Sequence, residues 1–455
     1  MATIKLAASV IVTRTQGDIV KVLLVRRAPE MRFFGGYWVF PGGNVADVDR
    51  HSPEDSEQQV LHRCAIRELH EETCLVCEDL QPVCRITTPP FYPVRFATRF
   101  FLTDIPSGVE PTLAGSELVE FGFFDPADAV RAWERGAMEI APPVLFLLRE
   151  MARHGREQFP GQAAATAATF ETIGVHPAWF SPGMFVAPLR TPTLPPATTT
   201  NTVIAGHETL YVIDPATPEP AEQARLFHQM DKMQAEGARF QAILLTHHHV
   251  DHVGAVNAVS RRYGLEVRAH ALTYARVPGD YLRGAPLQDG DRIELGTAPD
   301  GSPAWHLDVI HTPGHAVDHL CFIDSRYHAA VVGDMLSTIS TILIDPPEGH
   351  MRTYLDSLRR LLGVPIKTLV PAHGLAHRDG HALIRQYLEH RQMREEQALA
   401  ALSDSARTVE ALVPGIYTTT PPEMFPLAAR SLLAELIKLR EDGQCEETAA
   451  GWRRM

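Results

Sequence analysis

The stretch Thr246-His247-His248-His249-Val250-Asp251-His252 constrains this chain more than any other, because it sets four imidazoles and a carboxylate within seven residues. Directly before it, Gln241-Ala242-Ile243-Leu244-Leu245 reads as a buried strand, so the polar run falls at a strand's exit, where sites are usually built. His247 and His249, two residues apart on an extended segment, project to one side, and His248 projects to the other. Asp251 and His252 follow where the chain has to turn. Together these donors suit a borderline-soft divalent metal. An expression tag would be terminal, whereas this run lies mid-chain, ahead of the helix-like Val253–Asn257.

A chain of 455 residues exceeds one ordinary core and predicts two to four domains. The formal charge of −13 argues against a general electrostatic grip on nucleic acid or an anionic membrane. No apolar run reaches the length of a membrane span, and Met1–Lys5 passes straight into the strand-like Leu6–Val12 rather than a signal peptide. Six cysteines in a chain this long do not resemble a disulfide framework, so a cytoplasmic location is expected.

Three further candidates end apolar segments: His311-Thr312-Pro313-Gly314-His315, Val331-Val332-Gly333-Asp334 and Leu369-Val370-Pro371-Ala372-His373. A lone Asp or His in such a place is usually structural. Four strand-end sites with ligand chemistry, able to meet at one sheet edge, are not readily assigned to chance.

From about Thr172 to His377 this ordered set resembles the metallo-β-lactamase superfamily. The resemblance implies an αββα sandwich with His247, His249 and His315 on one metal, Asp251, His252 and His373 on a second, and Asp334 bridging. It is consistent with two Zn2+ ions and attack by a metal-activated hydroxide, with Asp251 counted as catalytic as well as a ligand. Asp214, His311 and His319 stand where partners that orient ligands would stand, a structural role being equally open for each. His248 is expected to point away.

In the N-terminal third, Val20–Val25 reads as a strand, and Tyr37–Phe40 runs into the Pro41-Gly42-Gly43 loop. Val60–Thr73 reads as a helix with Glu68, Glu71 and Glu72 on one face. Taken alone, such a face is either solvated or compensated by a hard cation. The glycine loop together with Arg67-Glu68-Leu69-His70-Glu71-Glu72 resembles the Nudix hydrolases. That resemblance implies an α/β/α sandwich, Mg2+ or Mn2+ on Glu71 and Glu72, Glu68 as further ligand or catalytic base, and Arg67 orienting the carboxylates. The chain departs from the pattern at Cys74, where the family has glycine, and in the long spacer Arg50–Ile66 that follows Asp49. Thr87-Thr88-Pro89-Pro90 and Arg95–Phe101 are similar to Nudix enzymes that cleave the diphosphate of coenzyme A.

The expected organisation is a multidomain α/β and α+β protein: a Nudix domain over 1–154, a linker over 155–171 drawn from the small, polar Gly155–Ala168, a metallo-β-lactamase-fold domain over 172–380, and a helical winged-helix-like cap over 381–455. The helical patterns His390–Leu402 and Pro426–Arg440, with the stretch Asp345–Leu358, resemble the β-lactamase-like protein 2 group. Small-molecule substrates are the expected partners: a thioester or related ester at the histidine site and a diphosphate at the Nudix site. The alternative is a single-strand-specific endoribonuclease with RNA as partner, although the tail offers few bases, Arg430, Lys438, Arg440, Arg453 and Arg454 among them.

Overall fold

A computed structural model describes residues 4–17, 19–31, 33–88, 94–173 and 178–455, without the side chains of 171–173. Pro89 and Pro90 of the coenzyme A-like segment and residues 1–3 lie outside the described residues. The chain divides into two compact units, Met1–Ala187 with Pro299–Gly301, and Pro188–Ala298 with Ser302–Met455.

The first unit is built on β1 (Ile4–Gln16), β2 (Ile19–Arg27), β3 (Trp38–Val39), β4 (Gly42–Asn44), β5 (Gln81–Thr87), β6 (Arg95–Asp104) and β7 (Leu118–Phe124). The sheet order is β3-β2-β1-β6-β5, with β4 on β1 and β7 on β2. Side-chain alternation along β1 supplies both faces of the sheet. Ala8, Val10 and Val12 pack with Leu61, Cys64, Ala65 and Leu69 of α1 (Glu57–Thr73). Ile11 turns to the opposite face, where α2 (Pro126–Glu134) and α3 (Pro142–Ile173) contribute Ala129, Val144 and Leu148.

Helix α1 starts three residues earlier than the apolar periodicity suggests. Ser56 caps it, accepting from the Gln59 amide, while the Gln59 side chain accepts from the Ser56 amide. At its other end Cys74 sits at φ 56, the left-handed region that glycine occupies without strain, and its N–H donates to the His70 carbonyl at 2.8 Å. The departure from the Nudix pattern therefore keeps the turn and bears the strain. Cys74→Gly is expected to raise stability by about 1 kcal/mol, read as a higher denaturant midpoint with unchanged slope. An unchanged or lower midpoint would contradict the strain.

The segment expected as a linker is helical, which corrects that reading. Gly155, at φ 69 and ψ 166, breaks α3, and the chain resumes as helix to Ile173. Phe159, Ala163, Ala167 and Phe170 are buried at helical spacing in the first core. The alanine and threonine tract was small because it packs closely, not because it is unstructured.

The hairpin β8 (Trp179–Ser181) and β9 (Met184–Arg190) carries the chain toward the second unit. There β10 (Thr199–Gly206), β11 (Thr209–Ile213), β12 (Arg239–Leu244), β13 (Glu266–Arg268) and β14 (Leu282–Arg283) form one sheet in sequence order, parallel from β11 onward. The helices α4 (Pro220–Ala235), α5 (Val250–Val253) and α6 (Val256–Tyr263) accompany it. A second sheet runs β15 (Arg292–Gly296), β16 (Trp305–His311), β17 (Leu320–Asp324), β18 (Ala329–Val331) and β19 (Thr368–Val370). Its outer face offers Ile310, Cys321, Ile323 and Ala330 to Tyr354, Leu355, Leu358 and Leu361 of α7 (Met351–Leu362) and to Ile384 and Tyr387 of α8 (Gly380–Ala401).

The C-terminal module adds α9 (Val409–Ile416), α10 (Phe425–Glu441) and the hairpin β20 (Cys445–Thr448) and β21 (Gly451–Arg454) around a core of Ala398, Leu412, Leu432, Leu436 and Trp452. No helix among the described residues is long and apolar enough to cross a membrane.

Candidate active sites

The histidine run leaves β12 as expected, and its shape is set by Asp214 at the end of β11. Asp214 accepts from the Thr246 amide at 2.8 Å and from Thr246 Oγ1 at 2.6 Å, and lies 2.9 Å from His252 Nδ1. All of these groups are buried. His315 arrives through Gly314, at φ 134, where any Cβ would run into the backbone at Tyr354, so the turn requires glycine. Asp334 and His373 follow β18 and β19, two parallel neighbours.

Hydrogen bonding fixes which ring nitrogen faces inward. His315 Nδ1 lies 2.9 Å from the Leu343 carbonyl and His373 Nδ1 3.0 Å from the Thr199 carbonyl; both oxygens only accept, so each Nδ1 carries the proton. The Asp214 carboxylate dictates the same for His252. Thr246 Oγ1 gives its proton to Asp214 and is left as acceptor for His247 Nδ1, 3.0 Å away. In the neutral ring, Nε2 of each is then an inward lone pair.

These lone pairs crowd one another. His249 Nδ1 is 3.0 Å from both His247 Nε2 and His315 Nε2. Burial, with the neighbouring imidazoles, pushes His249 down to about 3 and His247 well below the ordinary histidine range, whereas, against the effect of burial, the Asp334 carboxylate raises His252 and His373. On the other side, His373 Nε2 stands 3.5 Å from Asp251 Oδ2, and His252 Nε2 4.0 Å from Asp251 Oδ1.

Asp334 lies between the groups, with Oδ2 3.5 Å from His315 Nε2 and Oδ1 3.5 and 3.3 Å from the Nε2 atoms of His252 and His373. Buried His252 Nε2 and Asp334 Oδ1 have no hydrogen-bond partner among the described residues. Converging lone pairs and an orphaned carboxylate oxygen fit divalent cations. The donor triads His247/His249/His315 and Asp251/His252/His373 each gather within 4.8 Å.

The remaining expectations divide. His248 turns outward, its Nδ1 2.9 Å from Asp318, which also accepts from Thr273 Oγ1 at 2.7 Å. Although burial opposes it, these bonds hold the Asp318 carboxyl down at about 2. His319 Nε2 accepts from the Asp334 amide at 3.1 Å, so it acts on that residue's backbone. His311 instead bonds the Val317 carbonyl and stacks on His270. Sequence reasoning missed Asp318 and Glu348, as well as the Leu343 and Thr199 carbonyls. Only the side chains of the first two left a signal to find.

In the first unit, Arg67 organises the carboxylates. Its guanidinium forks onto Asp49 with two 2.8 Å bonds, and NH1 lies 2.8 Å from Glu71 and 3.0 Å from Glu68. Glu72 instead accepts from the Gly42 amide at 2.8 Å, and burial pushes its carboxyl up to about 7. A Cβ at Gly42 would run into the backbone of Ala8 and Ser9, and one at Gly43 would meet the Glu68 carboxylate, which together account for the glycine pair. Burial raises Glu68 as well. The three glutamates share one helical face, but among the described residues they do not converge as the histidine triads do.

Comparison with known proteins gives the family of each part of the chain. The chain matches the models of the metallo-β-lactamase superfamily over residues 194–373, the NUDIX domain over 3–144 and the β-lactamase-associated winged helix domain over 408–452. The chain belongs to the metallo-β-lactamase superfamily and carries a Nudix domain ahead of it and a winged helix domain behind it. It is 26% identical over 258 residues to the β-lactamase-like protein 2 homolog of Drosophila melanogaster, covering 54% of this chain and 83% of that protein. It is 31% identical over 217 residues to the lactamase-like protein nscB of Trichophyton verrucosum, covering 44% and 69%. A solved β-lactamase domain protein from Burkholderia ambifaria shares the fold at 19% identity and TM-score 0.52, covering 62% of this chain and 94% of that one. Both catalytic families are hydrolases, and the chain is a metal-dependent hydrolase.

Proposed function

We propose that the histidine site hydrolyses a thioester or related small-molecule ester with two Zn2+ ions, and that the Nudix site, with Mg2+ or Mn2+, cleaves a diphosphate such as that of coenzyme A. The observation that carries the first half is Asp334, whose two oxygens each face a different triad of inward donors. His247, His249 and His315 would hold one ion and Asp251, His252 and His373 the other, Asp334 touching both. Bound there, the ions supply Lewis-acid activation of water and neutralise charge developing on the attacked carbonyl. The chain's own part is orientation: Asp214, Thr246 and the Leu343 and Thr199 carbonyls fix ring directions before any substrate arrives.

At the Nudix site, a hard cation supplies charge neutralisation for a diphosphate. Glu71 and Glu72 would hold it, Glu68 would hold it further or take a proton, and Arg67 keeps the helix face in register with Asp49.

The small-molecule reading is favoured over RNA by the pairing of four of the five C-terminal bases. Arg430 pairs with Asp345, Lys438 with Glu395 and Asp442, Arg440 with Glu447, and Arg453 with Glu446. Each is drawn to an acid of its own chain, which weakens the field a phosphate backbone would meet. The test is a panel of acyl-glutathione, acyl-coenzyme A and single-stranded RNA offered to the zinc-loaded full chain. Thioester turnover with intact RNA is expected; RNA cleavage without thioester turnover would replace this reading with the endoribonuclease one.

A further inference from the structure

Five imidazoles belong to the candidate ligand set, and four are anchored from behind at 2.9 to 3.0 Å: His247 by Thr246, His252 by Asp214, His315 by the Leu343 carbonyl and His373 by the Thr199 carbonyl. His249 is mounted the other way round. Its Nδ1 faces inward and its Nε2 faces outward, toward Glu348 Oε2 at 3.8 Å. Glu348 is itself unfinished, since its buried Oε1 has no hydrogen-bond partner among the described residues. That oxygen lies 3.5 Å from Nε2 of His248, whose Nδ1 is held by Asp318. The carboxylate is thus suspended between two neighbouring imidazoles.

We propose that Glu348 is the positioning residue of His249, accepting its Nε2–H and so presenting the Nδ1 lone pair to the site. This rests on reading His247, His249 and His315 as a cation-holding triad. The 3.8 Å separation exceeds a normal N–H···O length by about 0.9 Å, and the proposal requires the glutamate side chain to rotate by that much. The same loop, 341–350, also supplies the Leu343 carbonyl behind His315. One loop therefore holds two of the three imidazoles in one triad and none of the donors Asp251, His252 and His373, whose ring anchors are Asp214 and Thr199. The consequence is selectivity: loss of Glu348 weakens one cation position and spares the other.

Zinc titration of the full chain, followed by cobalt substitution with absorption spectroscopy, tests this. With Mg2+ in excess to occupy the Nudix carboxylates, wild type is expected to take up two equivalents. In Glu348→Ala one equivalent binds about 10- to 100-fold more weakly, with the cobalt band of the three-imidazole position shifted and the other equivalent unmoved. Glu348→Gln, which keeps an acceptor oxygen, recovers most of the affinity. An alanine variant that binds both equivalents as wild type does, or weakens both alike, overturns the assignment. A wild-type chain that takes up fewer than two equivalents overturns the triad reading and this proposal with it.

Discussion

Asp334→Ala is expected to lower kcat/KM at the histidine site by about a thousand-fold or more, roughly 4 kcal/mol of transition-state stabilisation, while diphosphate cleavage continues at the wild-type rate. The residue is a donor set between both triads, 3.3 to 3.5 Å from three imidazoles. Its removal takes a negative charge from the centre of the site without opening the surrounding core, because the strands that bring it there are closed by Val331, Leu369 and Val370. The fold should survive, and circular dichroism of the variant should overlay that of the wild type. Thioester turnover within tenfold of wild type would show that Asp334 is structural.

The second large effect separates chemistry from stability at the Nudix helix. Glu71→Gln removes an exposed carboxylate that pairs with Arg67, so it should leave the melting curve in place while cutting diphosphate turnover about a hundred-fold. Arg67→Ala, by contrast, lowers stability. Asp49 is only 2% exposed and receives both arms of the guanidinium, so the variant strands a buried carboxylate and should cost the first unit about 3 kcal/mol. Denaturant unfolding followed by Trp38 and Trp133 fluorescence reads that loss. Equal stability of the two variants would mean that the fork contributes no more than a surface pair.

What could be read from sequence follows from how each feature is encoded. Ligand-grade side chains closing apolar runs placed His247, His315, Asp334 and His373 after strands, but the structure gathers them from two sheets rather than one edge, β12 belonging to the first and β16, β18 and β19 to the second. The glutamate face of α1 was legible from helical spacing. The anchors behind the imidazoles were not, because the Leu343 and Thr199 groups are backbone carbonyls with no side-chain signature. Glu348 lies 99 residues beyond His249, and only folding makes them neighbours.

Helices were misread where packing is two-sided or close. The onset of α8 at Gly380 was missed because its early residues, Leu383, Ile384 and Tyr387, pack on the second sheet while Ala398 packs on the C-terminal core, so its apolar residues do not keep to one face. The helix after Gly155 was hidden by alanines that serve as core.

The most direct test is an anomalous difference map at the zinc edge from crystals of the full chain grown with zinc. Two peaks are expected, one ringed by His247, His249 and His315 and the other by Asp251, His252 and His373, with an Asp334 oxygen on each. A single peak, or density away from Asp334, would contradict the two-cation site.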